Sequence, residues 1–167
     1  MDLKEALRTA LDFEEKGHKI YAETANKSNN PIVVKTFRYL ARQELNHIAE
    51  ISEYIKDLGD GPKVELKGDR LEDTKRFFSM TVKGFTEKTM LSDDDIEAHK
   101  TALELEKKSH DFYEEQYNQA KDEDTKSFFN WLMEQENAHY QLIQNAYEFI
   151  KNPDHFFAEE EKWIVEG

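Results

Sequence analysis

Apolar residues recur along most of this chain at spacings of three and four, the period of one helix face. The first run covers about residues 2–26, with Leu3, Leu7, Ala10, Leu11, Phe13, Ile20 and Tyr21. The second opens at Asn30-Pro31, an N-cap residue followed by proline at the first helical position. It closes at Leu58-Gly59, where glycine allows the left-handed residue that ends a helix. Its buried side reads Phe37, Leu40, Ile48, Ile51, Tyr54, Ile55 and Leu58. Residues 59–92 break the pattern at Gly59, Gly61, Pro62 and Gly68. Within them, Asp69 with Glu72 reads as a capping pair for a short helix through Phe77, Phe78 and Met80. Ser92 with Asp95 caps a third long helix, about residues 93–120. A fourth runs from about Asp122 to Lys151, where Asn152-Pro153 stops it.

The turns after the first and third long helices are short, so each pair should form an antiparallel hairpin, over residues 2–58 and 93–151. The connection over 59–92 is long enough to cross the whole bundle. The expected architecture is all-α, a ferritin-like four-helix bundle with one long crossover containing a short helix. The tail, residues 152–167, keeps Phe156, Phe157, Trp163 and Ile164, which are expected to pack on the bundle.

Composition agrees with helices, with only 6 Gly and 3 Pro in 167 residues. The formal net charge of −13 argues against nucleic acid as a partner, because phosphate binding needs clustered Lys and Arg. The chain has no cysteine, which excludes disulfides, thiolate metal sites and iron–sulfur clusters. Met1-Asp2-Leu3-Lys4-Glu5 reads as the start of an amphipathic helix rather than a signal peptide. No apolar run approaches the roughly 20 residues that span a bilayer. The expectation is a cytoplasmic protein with no membrane partner.

The chain also repeats itself at an offset of 92. Ala10, Leu11, Glu14, Lys16, His18, Tyr21, Glu23 and Asn26 recur as Ala102, Leu103, Glu106, Lys108, His110, Tyr113, Glu115 and Asn118. Phe37, Leu40, Gln43, Glu44 and His47 recur as Phe129, Leu132, Gln135, Glu136 and His139. Helical composition bias produces some matches, but it does not preferentially align His with His and Tyr with Tyr. The two hairpins therefore read as copies about a pseudo-two-fold axis, which would build one site from paired residues.

Those pairs interrupt the apolar stripes. The second helix reads Phe37, Leu40, Glu44, His47, Ile51, Tyr54, Leu58, and the fourth reads Phe129, Leu132, Glu136, His139, Ile143, Ala146, Ile150. Each carries Glu-x-x-His, whose two residues share a helical face. The first helix gives Leu3, Leu7, Ala10, Glu14, Gly17, Tyr21, and the third gives Ile96, His99, Leu103, Glu106, His110, Tyr113. Four glutamates in one core are prohibitive alone, because a buried unpaired carboxylate costs several kcal/mol or takes a proton. Two divalent cations would neutralise them with both histidines uncharged. Mixed carboxylate and imidazole donors with open positions suit iron or manganese. One Glu-x-x-His is weak evidence, but two copies at one offset, each facing a core Glu, are specific.

At these residues the chain is similar to the rubrerythrin-type ferritin-like proteins, a di-iron carboxylate group. The similarity covers the four long helices and the crossover, and includes Ala-Leu-x-x-Glu-x-x-Gly from Ala10 to Gly17. It implies two iron ions, with manganese or zinc as alternatives, held by Glu14, Glu44, His47, Glu106, Glu136 and His139. Glu44 and Glu136 would bridge, Glu14 and His47 would complete one shell, and Glu106 and His139 the other. It further implies reduction of hydrogen peroxide or O2 with electrons from an external donor such as rubredoxin, in a homodimer. The chain departs from the family in lacking the cysteine-ligated rubredoxin segment. It also has Ser109 where rubrerythrins often carry a further Glu, which brings the ligand set closer to bacterioferritin. Iron handling by ferroxidation and storage is therefore a second reading, and a helical protein with a structural metal site is a third.

Among the remaining residues, His18 and His110 sit one turn after Glu14 and Glu106, either touching the site from outside or simply bonded elsewhere. Tyr21 and Tyr113 lie two turns beyond the same glutamates, with hydrogen bonding to a carboxylate and plain core packing both open. His99 and His155 have no assigned role. Trp131, Phe128 and Phe129 are expected to serve packing within the bundle or between subunits.

Overall fold

The computed structural model describes residues 1–58, 66, 68–83, 85 and 89–153. It contains α1 (Leu3–Lys27), α2 (Pro31–Lys56), α3 (Leu71–Val82), α4 (Asp93–Gln119) and α5 (Glu123–Lys151). The four long helices of the sequence pattern are α1, α2, α4 and α5, and α3 is the short helix of the crossover. Gly59, Gly61, Pro62 and the tail residues His155, Phe156, Phe157, Trp163 and Ile164 lie outside the described residues.

Local chemistry sets most of the starts. Asp2 Oδ1 accepts from Glu5 N at 2.9 Å while Glu5 Oε2 accepts from Asp2 N at 3.1 Å, so two otherwise orphaned amides are satisfied reciprocally. Asn30 Oδ1 accepts from Ile32 N and Val33 N at 2.9 and 3.2 Å, and its Nδ2 donates to Met90 O at 3.0 Å. The head of α2 is thereby tied to the far end of the crossover. Ser92 and Asp95 form the expected box on α4. The start of α3 is corrected by one residue. Arg70 N donates to Asp73 Oδ2 at 3.0 Å, whereas the Asp69 carboxylate accepts from the Tyr39 hydroxyl instead of capping. Tyr39 also stacks on Phe77 with ring centroids 4.0 Å apart, so α3 is docked on α2.

The pairings across the bundle fix its directions. Tyr21 meets Glu106 and Tyr113 meets Glu14, so residue numbers rise on α1 as they fall on α4. Glu14 with His47 and His18 with Ala41 make α1 antiparallel to α2, and Glu106 with His139 and His99 with Tyr147 make α4 antiparallel to α5. His47 with Glu136 and His139 with Glu44 make α2 antiparallel to α5. It follows that α2 and α4 run in the same direction, which only a connection spanning the bundle length allows. This is the ferritin-like topology.

The apolar core divides in two. One cluster gathers Phe37, Leu40, Phe78, Ile143 and Phe149. The other gathers Leu7, Ile51, Phe128, Phe129 and Leu132. Each such side chain contributes roughly 1.5–3 kcal/mol on full burial, so these layers hold the helices together on either side of a polar band. The inward face of α4 differs from the expected one. It reads Asp95, His99, Ala102, Leu105, Glu106, Ser109, Tyr113 and Gln116, with Ile96, Leu103 and His110 only half-buried. The more apolar Ile96 and Leu103 mislead a reading by hydropathy, but both seams share His99, Glu106 and Tyr113. Among the described residues no helix is long and apolar enough to cross a membrane.

Candidate metal centre

Each long helix delivers its polar side chains at mid-length, where the neighbouring turns are locked by the two apolar clusters. Glu14 and Glu106 are 1% exposed, Glu44, Glu136 and His139 are 2%, and His47 is fully buried. One donor atom from each of Glu44, His47, Glu136 and His139 falls within 4.8 Å of the others. The two imidazoles lie nearly parallel, with centroids 5.1 Å apart. Small residues make the space: a Cβ on Gly17 would sit 3.2 Å from Glu44 Cδ, and the repeat places Ser109 at the corresponding position of α4.

The tyrosines act crosswise rather than on their own helices. Tyr113 Oη donates to Glu14 Oε1 and Tyr21 Oη donates to Glu106 Oε1, each at 2.5 Å. Burial, reinforced by the facing carboxylates, pushes both phenols well above their usual pKa. They therefore remain protonated donors. His47 is held at both nitrogens, Nδ1 lying 2.9 Å from Glu14 Oε2 and Nε2 lying 3.0 Å from Gln135 Oε1. Gln135 Nε2 in turn donates to Asp69 O at 2.8 Å. A backbone carbonyl can only accept, so this bond fixes which end of the amide faces His47. His47 Nε2 must then carry hydrogen, and Nδ1 is the nitrogen that faces the carboxylates.

Charge in this nest is shared unevenly. Burial pushes the Glu14 carboxyl up, but His47 together with hydrogen bonds from Glu44 and Tyr113 brings it down to about 2. Burial opposes a charge on His47, yet Glu14 and Glu44 outweigh it and raise its pKa to about 10. Glu106 is likewise pushed up by burial and brought below its ordinary value by Glu136, His139 and Tyr21. Glu44 and Glu136 go the other way. Burial and the adjacent Glu14 raise Glu44, while burial and the adjacent Glu106 raise Glu136, so both take protons when nothing else neutralises them.

Even so, Glu106 Oε2, Glu136 Oε1 and His139 Nδ1 remain buried without a hydrogen-bond partner. Orphaned buried acceptors of this kind are rare because each forfeits its hydration. All three are atoms of types that can ligate a metal, and all three belong to the facing carboxylate–imidazole set. The residues fit divalent metal.

The remaining sequence candidates lie elsewhere. His18 is half-buried with Nδ1 2.9 Å from Ala41 O, so it is bonded to the backbone and not to the cluster. His110 is partly exposed, with Nδ1 3.7 Å from Asp111 Oδ1. His99 is buried, its Nδ1 2.6 Å from Asp95 O, and burial lowers its pKa. Phe128 and Phe129 belong to the core, and Trp131 lies edge-on to His47 with centroids 5.5 Å apart. Gln135 carried no assigned role, although its identity with Gln43 beside the Glu-x-x-His was a signal in the repeat.

Compared with known families, the chain matches the one described as Rubrerythrin over residues 5–147. No solved structure matches it.

Proposed function

Since the chain belongs to the rubrerythrin family, we propose that it is a non-haem di-iron oxidoreductase reducing hydrogen peroxide or O2 with electrons from a separate donor. The observation that carries this reading is the trio of partnerless donor atoms, Glu106 Oε2, Glu136 Oε1 and His139 Nδ1, among four buried carboxylates. Glu14 and His47 would hold one ion and Glu106 and His139 the other, with Glu44 and Glu136 shared between them. A ferrous pair held by these residues would supply the two electrons that, with two protons, reduce one peroxide to two waters.

The chain's own residues do the rest. The Tyr113 and Tyr21 hydroxyls hold Glu14 and Glu106 turned into the cluster. Glu44 and Glu136 release their protons when metal loads, and His47 gives up the one on Nδ1 while keeping that on Nε2. Near-complete burial excludes bulk water and favours small oxidants. The sequence has no cysteine, so it carries no thiolate-bound second redox centre, and a donor such as rubredoxin would bring the electrons. A homodimer is the assembly this reading expects.

Stopped-flow absorbance of anaerobically iron-loaded protein tests it. Peroxide should oxidise the protein rapidly once, then nothing should follow until a donor is added. Oxidation no faster than that of free ferrous ion would refute the peroxidase reading. One observation favours the iron-handling alternative. Ser109 is buried with its hydroxyl turned back onto Leu105 O at 2.9 Å, so this position offers no additional carboxylate. Ready oxidation by O2 with accumulating ferric mineral, in a cage-sized particle, would select that alternative.

A further inference from the structure

The repeat makes the two halves of the centre equal in composition, yet they differ in how their histidines are supported. On one side Gln135 spans from the crossover to the centre, with Nε2 on Asp69 O at 2.8 Å and Oε1 on His47 Nε2 at 3.0 Å. The residue related to it by the repeat is Gln43, which is also buried, but its Oε1 has no hydrogen-bond partner. Gln43 Oε1 therefore does not hold the far nitrogen of His139 in the way that Gln135 Oε1 holds that of His47. The difference has a simple origin. Among the described residues, the crossover backbone at Asp69 braces Gln135, and Gln43 Oε1 has no such partner. Gly68 lets it come this close, since a Cβ there would sit 2.8 Å from Gln135 Oε1 and 3.0 Å from the Trp131 ring.

We propose that Gln135 is a positioning residue that holds His47 in one tautomer and orientation, that this hold depends on the crossover backbone at Asp69, and that the two halves of the centre consequently take metal with unequal affinity, the Glu14–His47 half first. This rests on the reading of the six residues as ligands. A ligating histidine whose far nitrogen donates to a fixed acceptor has its ring orientation settled before metal arrives. The His139 ring has no such hold from Gln43, so metal at that half would have more of the orienting to do, at a cost in side-chain entropy.

Cobalt(II) is a suitable probe, because its visible absorption reports its ligands and binding can be followed without turnover. The metal-free full chain is titrated in competition with a chelator. The wild type should show two distinct steps. Gln135→Leu, of similar volume but without the amide, should weaken the tighter step about ten- to hundredfold, the usual effect of losing such a partner. It should also change the cobalt spectrum of that step. Gln43→Leu should leave both steps within about threefold, since Gln43 Oε1 supports nothing. Gln135→Glu, which keeps an acceptor for His47 but repels the Asp69 carbonyl, should recover part of the loss. Gly68→Ala, at an exposed position, should produce a smaller loss of the same kind by displacing Gln135 from outside. Two equal steps in the wild type, or equal effects of Gln135→Leu and Gln43→Leu, would overturn the proposal. Two-step binding unaltered by Gln135→Leu would overturn it while leaving the metal reading intact. Failure of the wild type to bind cobalt would remove the metal reading itself, and this inference with it.

Discussion

Stripping the metal from this protein is expected to lower its unfolding midpoint and to reverse the direction in which its stability changes with pH. The first effect is mass action: an ion that binds only the folded state adds about 2.7 kcal/mol at a free concentration one hundred times its dissociation constant. For a domain of this size that corresponds to roughly 5–10 °C per ion. The second effect follows from the protons that the empty centre must hold. Folded His47 keeps its proton up to about 10, whereas the unfolded residue loses it near its ordinary value of 6.5. Its contribution is thus complete below 6.5 and disappears as pH rises towards 10. Glu44 and Glu136 are raised above the ordinary carboxylate value of 4.5, so their contributions too are present at low pH and lost as pH rises. Glu14, depressed to about 2, works in the opposite sense, but only below 4.5. From about pH 6 to 9 the folded metal-free protein therefore binds more protons than the unfolded chain, and its stability should fall with rising pH. Metal displaces those same protons, so the loaded protein should gain stability over that range. Melting curves with and without saturating ferrous ion, in anaerobic buffers across that range, check both effects. Parallel pH profiles would contradict the assignment.

The second large effect concerns the two shared carboxylates. Glu44→Gln and Glu136→Gln keep the shape of the side chain and remove its charge. Each should weaken binding of the ion pair by about a hundredfold or more, beyond the 10–100-fold typical of a group that only supports a ligand. Each should also abolish the single rapid oxidation by peroxide. Without metal the same variants should be no less stable than the wild type, because the native carboxyls are already forced to carry protons there. Loss of binding together with intact metal-free stability separates a ligand from a packing residue. Equilibrium metal titration beside thermal melts reads both, and unchanged binding in either variant would count against a shared role.

Much of this was legible in the sequence for physical reasons. The alternation of three and four fixes a helix's buried face, and a Glu or His at the centre of that face is visible as an interruption. The offset of 92 then pairs the interruptions, which is why Glu14, Glu44, His47, Glu106, Glu136 and His139 could be named together. The crosswise tyrosines were not legible, because the pairing of Tyr21 with Glu106 depends on the antiparallel setting of α1 and α4. Helix α4 was read one position off because Ala102 and Ser109 face inward while Leu103 is only half-buried. The Asp69–Gln135–His47 chain was hidden for another reason. It joins an irregular segment to the bundle across 66 residues, and no periodic signal encodes such a contact.

The claim on which everything else depends is that these six side chains enclose two metal ions. Anomalous diffraction at the iron edge, from crystals loaded anaerobically with ferrous ion, tests it most directly. The account predicts two peaks per chain, both inside the cluster formed by Glu14, Glu44, His47, Glu106, Glu136 and His139. No peak there, or iron found only at the more exposed group of His110, Asp111 and Glu114, would contradict it.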